Sequence, residues 1–142
     1  MRKKTKRVLL PAALLLAALF LAACGNAELR DGVYAGRSGE DDTGAWAEVS
    51  VTISQGKVQA CKFISRQKDG TVKGEDYGKI NGEISNRDFY EEAQLAVAAM
   101  KKYNAEYLKA GNLDDVQAVS GATNSYNQFL EAVDDALKTA KK

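Results

Sequence analysis

The chain has 142 residues, with 20 Lys+Arg against 19 Asp+Glu, two cysteines and no histidine. Without an imidazole, haem attachment through Cys-x-x-Cys-His, histidine-based zinc sites and Ser-His or Cys-His catalysis are all excluded.

The amino terminus is a three-part segment. Arg2, Lys3, Lys4, Lys6 and Arg7 precede an uncharged, mostly apolar run over residues 8–21, and Leu21-Ala22-Ala23-Cys24 closes it with small residues. This is the pattern of a secretion signal. The run is shorter than the roughly 20 residues a bilayer core requires, and Pro11 interrupts it. The terminal tetrapeptide resembles a bacterial lipobox. The resemblance implies cleavage before Cys24, diacylation of its thiol and retention on the extracytoplasmic face of a cell membrane. The expected organisation is a signal peptide over 1–23, the lipidated cysteine and a short tether over 24–31, and one domain over 32–142. Removing the five basic residues of the signal leaves 15 Lys+Arg against 19 Asp+Glu, a formal net charge of −4. Such a surface argues against nucleic acid as a partner. The tether spans about 25 Å at most when extended, so the domain is expected to work close to its membrane. With Cys24 lipidated, Cys61 has no partner for a disulfide and reads as a small buried core residue.

Residues 32–37 read as a short strand, followed by an acidic turn at Glu40-Asp41-Asp42-Thr43-Gly44. From Trp46 to Ile53 the chain alternates. Val49, Val51 and Ile53 lie on one face, and Glu48, Ser50 and Thr52 on the other, which marks a half-buried strand. Gln55-Gly56 suits a hairpin turn, with the partner strand returning over 57–64. Residues 66–86 are polar and glycine-rich and read as a long solvated connection. Within it, Glu75-Asp76-Tyr77-Gly78 is a candidate site lining.

Asn86 suits a helix N-cap and Asp88 its first turn. Phe89, Ala93, Val97, Met100 and Tyr107 then recur at helical spacing as a core-facing stripe, and Gly111 ends the helix. Residues 117–120 read as a short strand or extended entry to a final helix. Its stripe is Tyr126, Phe129, Leu130, Val133 and Leu137, with Ala132, Ala136 and Ala140 favouring helix. The order predicts an α+β fold, a small antiparallel sheet packed with two main helices. Glu91-Glu92 and Asp134-Asp135 read as solvated helix faces.

Between the two helices lies "VSGATNSYNQF". A helix amino terminus exposes N–H groups without intrahelical partners and a partial positive charge, which makes it a ready anion site. Gly121 lets a ligand approach the backbone, Ala122 adds only a methyl, and Thr123 offers a hydroxyl. By residue chemistry alone, an ordinary Ser or Thr cap with a glycine turn is the simpler explanation.

Ser120-Gly121-Ala122-Thr123 resembles the S-G-A-T motif of the FMN-binding domain family, which includes subunits of sodium-pumping and related redox complexes and many membrane-anchored lipoproteins. "DGVYAGRSGEDD", "EDYGKINGEISNRDFYEEAQLAVAAM" and "VQAVSGATNSYNQFLEAVDDAL" are similar to the lipoprotein branch, so the resemblance runs from about Asp31 to the end. It implies that a flavin transferase uses FAD to join FMN through its phosphate to Thr123. Ser120, Gly121, Ala122, Asn124 and Ser125 would complete the cofactor-binding segment. The family's motif often has an aspartate three residues before the serine; here that position is Gln117.

The reading that follows is a membrane-anchored one-flavin electron carrier, fed by a membrane quinone pool or dehydrogenase. The chain has no Rossmann glycine fingerprint for a nicotinamide. The alternatives are a non-redox binding or structural lipoprotein on the same scaffold, and a noncovalent FMN binder. An enzyme with its own substrate is the weakest reading, because no acid–base pair stands out. Trp46, Tyr34, Tyr77 and Tyr126 are the candidate stacking partners for a flavin ring.

Overall fold

A computed structural model describes residues 28–141. The signal peptide, Cys24 and tether residues 24–27 lie outside the described residues. Three strands, β1 (Gly32–Arg37), β2 (Trp46–Ser54) and β3 (Lys57–Arg66), form an antiparallel sheet in the order β1-β2-β3. Helices α1 (Arg87–Ala110) and α2 (Thr123–Ala140) follow, with a 3-10 turn at Leu113–Asp115 between them. This is the expected α+β arrangement. Among the described residues, no helix is long and apolar enough to cross a membrane.

The local signals act where expected. Alternation along β2 buries Val49, Val51 and Ile53. Gln55 (φ 53°) and Gly56 (φ 70°) both take positive φ, as a tight hairpin turn requires. β3 runs through Arg66 and carries a bulge opposite Thr52–Ile53. The Asn86 side chain accepts from the Phe89 N–H at 3.0 Å, and Gly111 (φ 69°) closes α1 by donating to the Tyr107 carbonyl. Residues 117–120 are extended without joining the sheet.

Packing departs from the periodicity in informative ways. α2 lies over β1 and β2, α1 lies over β3, and the helices meet each other. Ala132, Ala136 and Ala140 are fully buried, so they are the contact seam of α2 and more than propensity fillers. Gly36, paired with Val49, faces that seam and lets strand and helix backbones touch. Glu131 and Asp135 of α2 accept from the Gly39 and Arg37 amides at 3.1 Å, so Asp135 ties down β1 while sharing Lys138 with its solvated neighbour Asp134. On α1, Tyr103 is fully buried although the expected stripe omits it, whereas Phe89 is 50% exposed. Phe129 centres the core, with Phe63 edge-on at 5.0 Å and Tyr107 at 5.9 Å.

The start of the domain also differs. Residues 29–31 are docked: Leu29 bridges to Lys141, the Arg30 amide donates to Ala140 O at 2.8 Å, and Asp31 accepts from the Gly56 amide. These three residues, expected to be part of a tether, therefore belong to the fold.

Burial pushes the Cys61 thiol up to about 12, and burial together with Cys61 pushes the Tyr107 phenol up to about 12. In the unfolded chain they ionise at their ordinary 9.0 and 10.0. Above those values the unfolded chain releases protons that the folded chain retains, so stability falls as pH rises towards 12. The Tyr107 hydroxyl is also buried without a hydrogen-bond partner among the described residues. Tyr107→Phe is therefore expected to be neutral or up to about 1 kcal/mol stabilising at pH 7, and to flatten the alkaline loss. Thermal melts of both proteins from pH 8 to 11 check this; a destabilised variant with an unchanged alkaline slope contradicts it.

Candidate functional site

The S-G-A-T segment is a turn held from two helices. The Ala122 amide closes onto Val119 O at 3.0 Å, and Gly121 supplies φ 82°. Tyr103 of α1 accepts from the Val119 amide at 3.0 Å and donates to Ala122 O at 3.3 Å, so one buried phenol brackets the turn. Tyr126 donates to Val116 O at 3.0 Å, and Glu106 accepts from the Gln117 amide at 3.0 Å. A Cβ on Gly121 would stand 2.9 Å from Leu95 Cδ2, the end of a side chain free to turn aside, so it is the positive φ that calls for glycine.

α2 begins at Thr123, with Ala122 at its N-cap and no side-chain cap. The expected Ser or Thr cap does not form. The first intrahelical bond runs from the Tyr126 amide to Ala122 O, leaving the amides of Thr123, Asn124 and Ser125 without backbone acceptors among the described residues. Thr123 and Asn124 are exposed, while Ser125 is 5% exposed.

These residues open onto a cleft of about 360 Å³. Gly121, Ala122, Thr123, Asn124 and Ser125 line it; Ser120 is exposed and outside it, as is Gln117. The far walls come mostly from residues that sequence reasoning did not assign to the site; of the expected Glu75-Asp76-Tyr77-Gly78 lining, only Tyr77 takes part. The acidic turn brings Asp41 and Thr43, the 66–86 connection brings Lys73 and Tyr77, and α1 brings Phe89 and Glu92. Tyr77 and Phe89 pair edge-on at 6.4 Å. Of the four expected stacking residues, only Tyr77 reaches the cleft. Trp46 lies on the outer sheet face with the Arg37 guanidinium 3.9 Å from its ring, Tyr34 donates to Arg30 O, and Tyr126 packs on Tyr103.

The 66–86 connection is packed onto α1. Gln94 donates to Tyr77 O at 2.8 Å and reaches Gly74 O at 3.2 Å, and Gly78 presses on Tyr90 and Ala93. The acidic turn is fixed from inside. Asp41 Oδ1 accepts from Thr43 Oγ1 (2.6 Å), Thr43 N and Ala45 N. Gln128, 4% exposed, donates to Ala45 O and Asp41 Oδ2 and accepts from Ser65. Burial opposes Asp41 ionisation, but the Thr43 and Ala45 hydrogen bonds and the nearby Lys73 charge outweigh it, and its pKa lies below the ordinary range. Burial lowers the Lys73 pKa against the pull of Asp41, and raises that of Tyr77 with help from Asp41.

A larger open groove of about 1010 Å³ lies at the other end of α1, lined by Leu108, Gly111 and the docked start of the domain. At 1.5 Å per residue, the cleft and this groove are about 25 Å apart along α1. The cleft and Glu28, where the described residues begin, therefore lie near opposite ends of α1.

The model of the FMN-binding domain matches residues 43–138. The chain belongs to the FMN-binding domain family. FMN is accordingly the cofactor of this FMN-binding domain. A crystal structure of a Clostridium perfringens protein is similar at TM-score 0.61 and 22% identity, covering 79% of this chain and 88% of that one. A solution NMR structure of a Clostridium thermocellum protein is 23% identical over 80% of this chain and 94% of that one, at TM-score 0.47. No curated protein matches the chain. The cleft suits FMN in kind: an aromatic pair for a flat ring, free amides and a lysine for a phosphate, and a volume within the range of cofactor pockets.

Proposed function

We propose that the protein is an extracytoplasmic lipoprotein that carries one FMN on Thr123 and relays electrons from a membrane donor. The observation that carries this reading is the exposed Thr123 hydroxyl at an uncapped helix start, inside a cleft that Tyr77 and Phe89 wall. Attachment by a flavin transferase is a phosphoryl transfer. Thr123 Oγ attacks the FMN phosphorus of FAD, the pyrophosphate bond breaks, AMP leaves, and the hydroxyl proton is lost to base. When bound, FMN supplies one- and two-electron chemistry. The chain's own residues hold and shield it. The N–H groups of α2 meet the phosphodiester charge, worth about 0.3–2 kcal/mol, which is too little for retention in open solvent. A covalent bond retains the flavin where no fresh supply exists.

Intact mass decides the point. Protein made with its transferase should gain an FMN-sized increment on the Thr123 peptide. Gln117, in place of the family's frequent aspartate, favours a second reading, noncovalent FMN; release of all flavin on denaturation would select it.

Anchoring rests on the Leu21-Ala22-Ala23-Cys24 resemblance. Cys24→Ala is expected to lose lipid and leave the membrane fraction, as fractionation with lipid labelling reports; unchanged lipid incorporation rules the anchor out. With residues 29–31 docked and the cleft about 25 Å from the tether, contact with a membrane donor requires α1 to lie along the bilayer. A domain standing upright presents its flavin outward, to a second carrier or a diffusible acceptor.

A further inference from the structure

The outer edge of β3 starts a fourth strand and does not finish it. Val72 bridges to Arg66, the Lys73 amide donates to Ser65 O at 2.9 Å, and the Gln67 amide donates to Thr71 O at 2.8 Å. The chain then bends away at Gly74. Ser65 O therefore points off the sheet, and by the two-residue alternation of an antiparallel ladder so do the N–H and C=O groups of Cys61 and Phe63. No other backbone group among the described residues pairs with those four. Beside this edge, between β3 and α1, runs a groove of about 350 Å³. Cys61 and Phe63 line it from the strand, and Val97 and Met100, both buried, line it from the helix. Lys62, between the two strand residues, projects from the opposite face of the sheet. It is exposed and makes no ion pair among the described residues.

We propose that the β3 edge and α1 form a strand-accepting groove for an extended segment of a partner protein with the pattern apolar-acidic-apolar. The guest adds antiparallel to β3, in line with Val72 and Lys73, and exchanges backbone hydrogen bonds with Cys61 and Phe63. Its side chains opposite Cys61 and Phe63 share their face and enter the groove. The side chain opposite Lys62 stands on the outer face, where a carboxylate meets the lysine charge. A second copy of this chain fits the edge badly: two β3 strands that used all four free groups would set Lys62 directly against its own counterpart, and like charges so placed repel. Lys73 lines both the groove and the FMN cleft, so a docked guest lies beside the flavin site.

The test uses the full chain, isotopically labelled in detergent micelles, with the synthetic peptides TSVEVTS and TSVKVTS, followed by residue-resolved amide hydrogen exchange. Without peptide, the Cys61 and Phe63 amides are expected to exchange faster than those of Lys62 and Ile64, which face β2. TSVEVTS should slow Cys61 and Phe63 by roughly tenfold or more and leave Lys62 and Ile64 unchanged. TSVKVTS should bind about fivefold more weakly, and Lys62→Glu should reverse the order of the two peptides. Lys62 is exposed, so the variant keeps the fold. Three results would each overturn the proposal: no protection from TSVEVTS up to the millimolar range, equal affinity for both peptides in wild type, or an unreversed order in Lys62→Glu. Protection of Cys61 and Phe63 that rises with protein concentration in the absence of peptide would overturn it too, by giving the edge to a second copy.

Discussion

Thr123→Val, produced with the flavin transferase, is expected to carry no flavin that survives denaturation, while Thr123→Ser keeps part of it. Valine matches threonine in shape and removes only the hydroxyl. The Thr123 side chain is exposed and makes no hydrogen bond among the described residues, so the fold should not register the change. A stability shift within about 0.5 kcal/mol is expected. Tyr103 and Tyr126 continue to hold the turn. The loss of covalent flavin should therefore be complete and chemical, with an unaltered thermal melt. In-gel flavin fluorescence and intact mass read the modification. Equal fluorescence from Thr123→Val would move the attachment to another residue.

Gly36→Ala carries the largest expected cost to stability. A Cβ at Gly36 falls inside the van der Waals surface of the Ala132 carbonyl oxygen and the Ala136 amide nitrogen, and 2.9 Å from Ala136 Cα. All three are backbone atoms of α2, so no side chain can rotate away. β1 must move off the helix, pulling on the bonds from the Arg37 and Gly39 amides to Asp135 and Glu131. Overpacking of this kind costs up to about 3 kcal/mol, and more where the neighbour is rigid backbone. A Tm drop of roughly 10–20 °C follows for a domain of this size. Gly74→Ala is the control: nothing lies within 4 Å of its Cβ and its φ is not positive. It should stay within about 0.5 kcal/mol of wild type. Similar melts for the two variants would contradict the close β1–α2 approach.

The cleft joins residues that are distant in the chain. Asp41, Lys73, Phe89 and Thr123 come from four separate segments, and only the last belongs to a recognisable motif. Sequence by itself determined the three strands and two helices and several of their ends, though not the last residues of β3 or the 3-10 turn. Those signals act within a few residues: alternation along Val49, Val51 and Ile53, positive φ at Gly56, the Asn86 cap and the Gly111 stop. It also determined the family, because Ser120-Gly121-Ala122-Thr123 is contiguous. Helical spacing placed Phe89 in the core stripe, yet its ring stands half exposed at the cleft. Spacing gives the direction of a side chain around a helix axis, and says nothing of where the sheet beneath that helix ends. The alanines of α2 read as helix formers, and only contact with Gly36 reveals them as the seam that lets two backbones meet. The polar composition of residues 66–86 suggested solvent, but Gln94, twenty residues from Gly74, pins that segment and sets Lys73 in the cleft. Local preferences are properties of neighbouring residues and can be read in order. The cleft is made by faces that meet across long loops, so tertiary packing decided which lysine and which aromatics stand around Thr123.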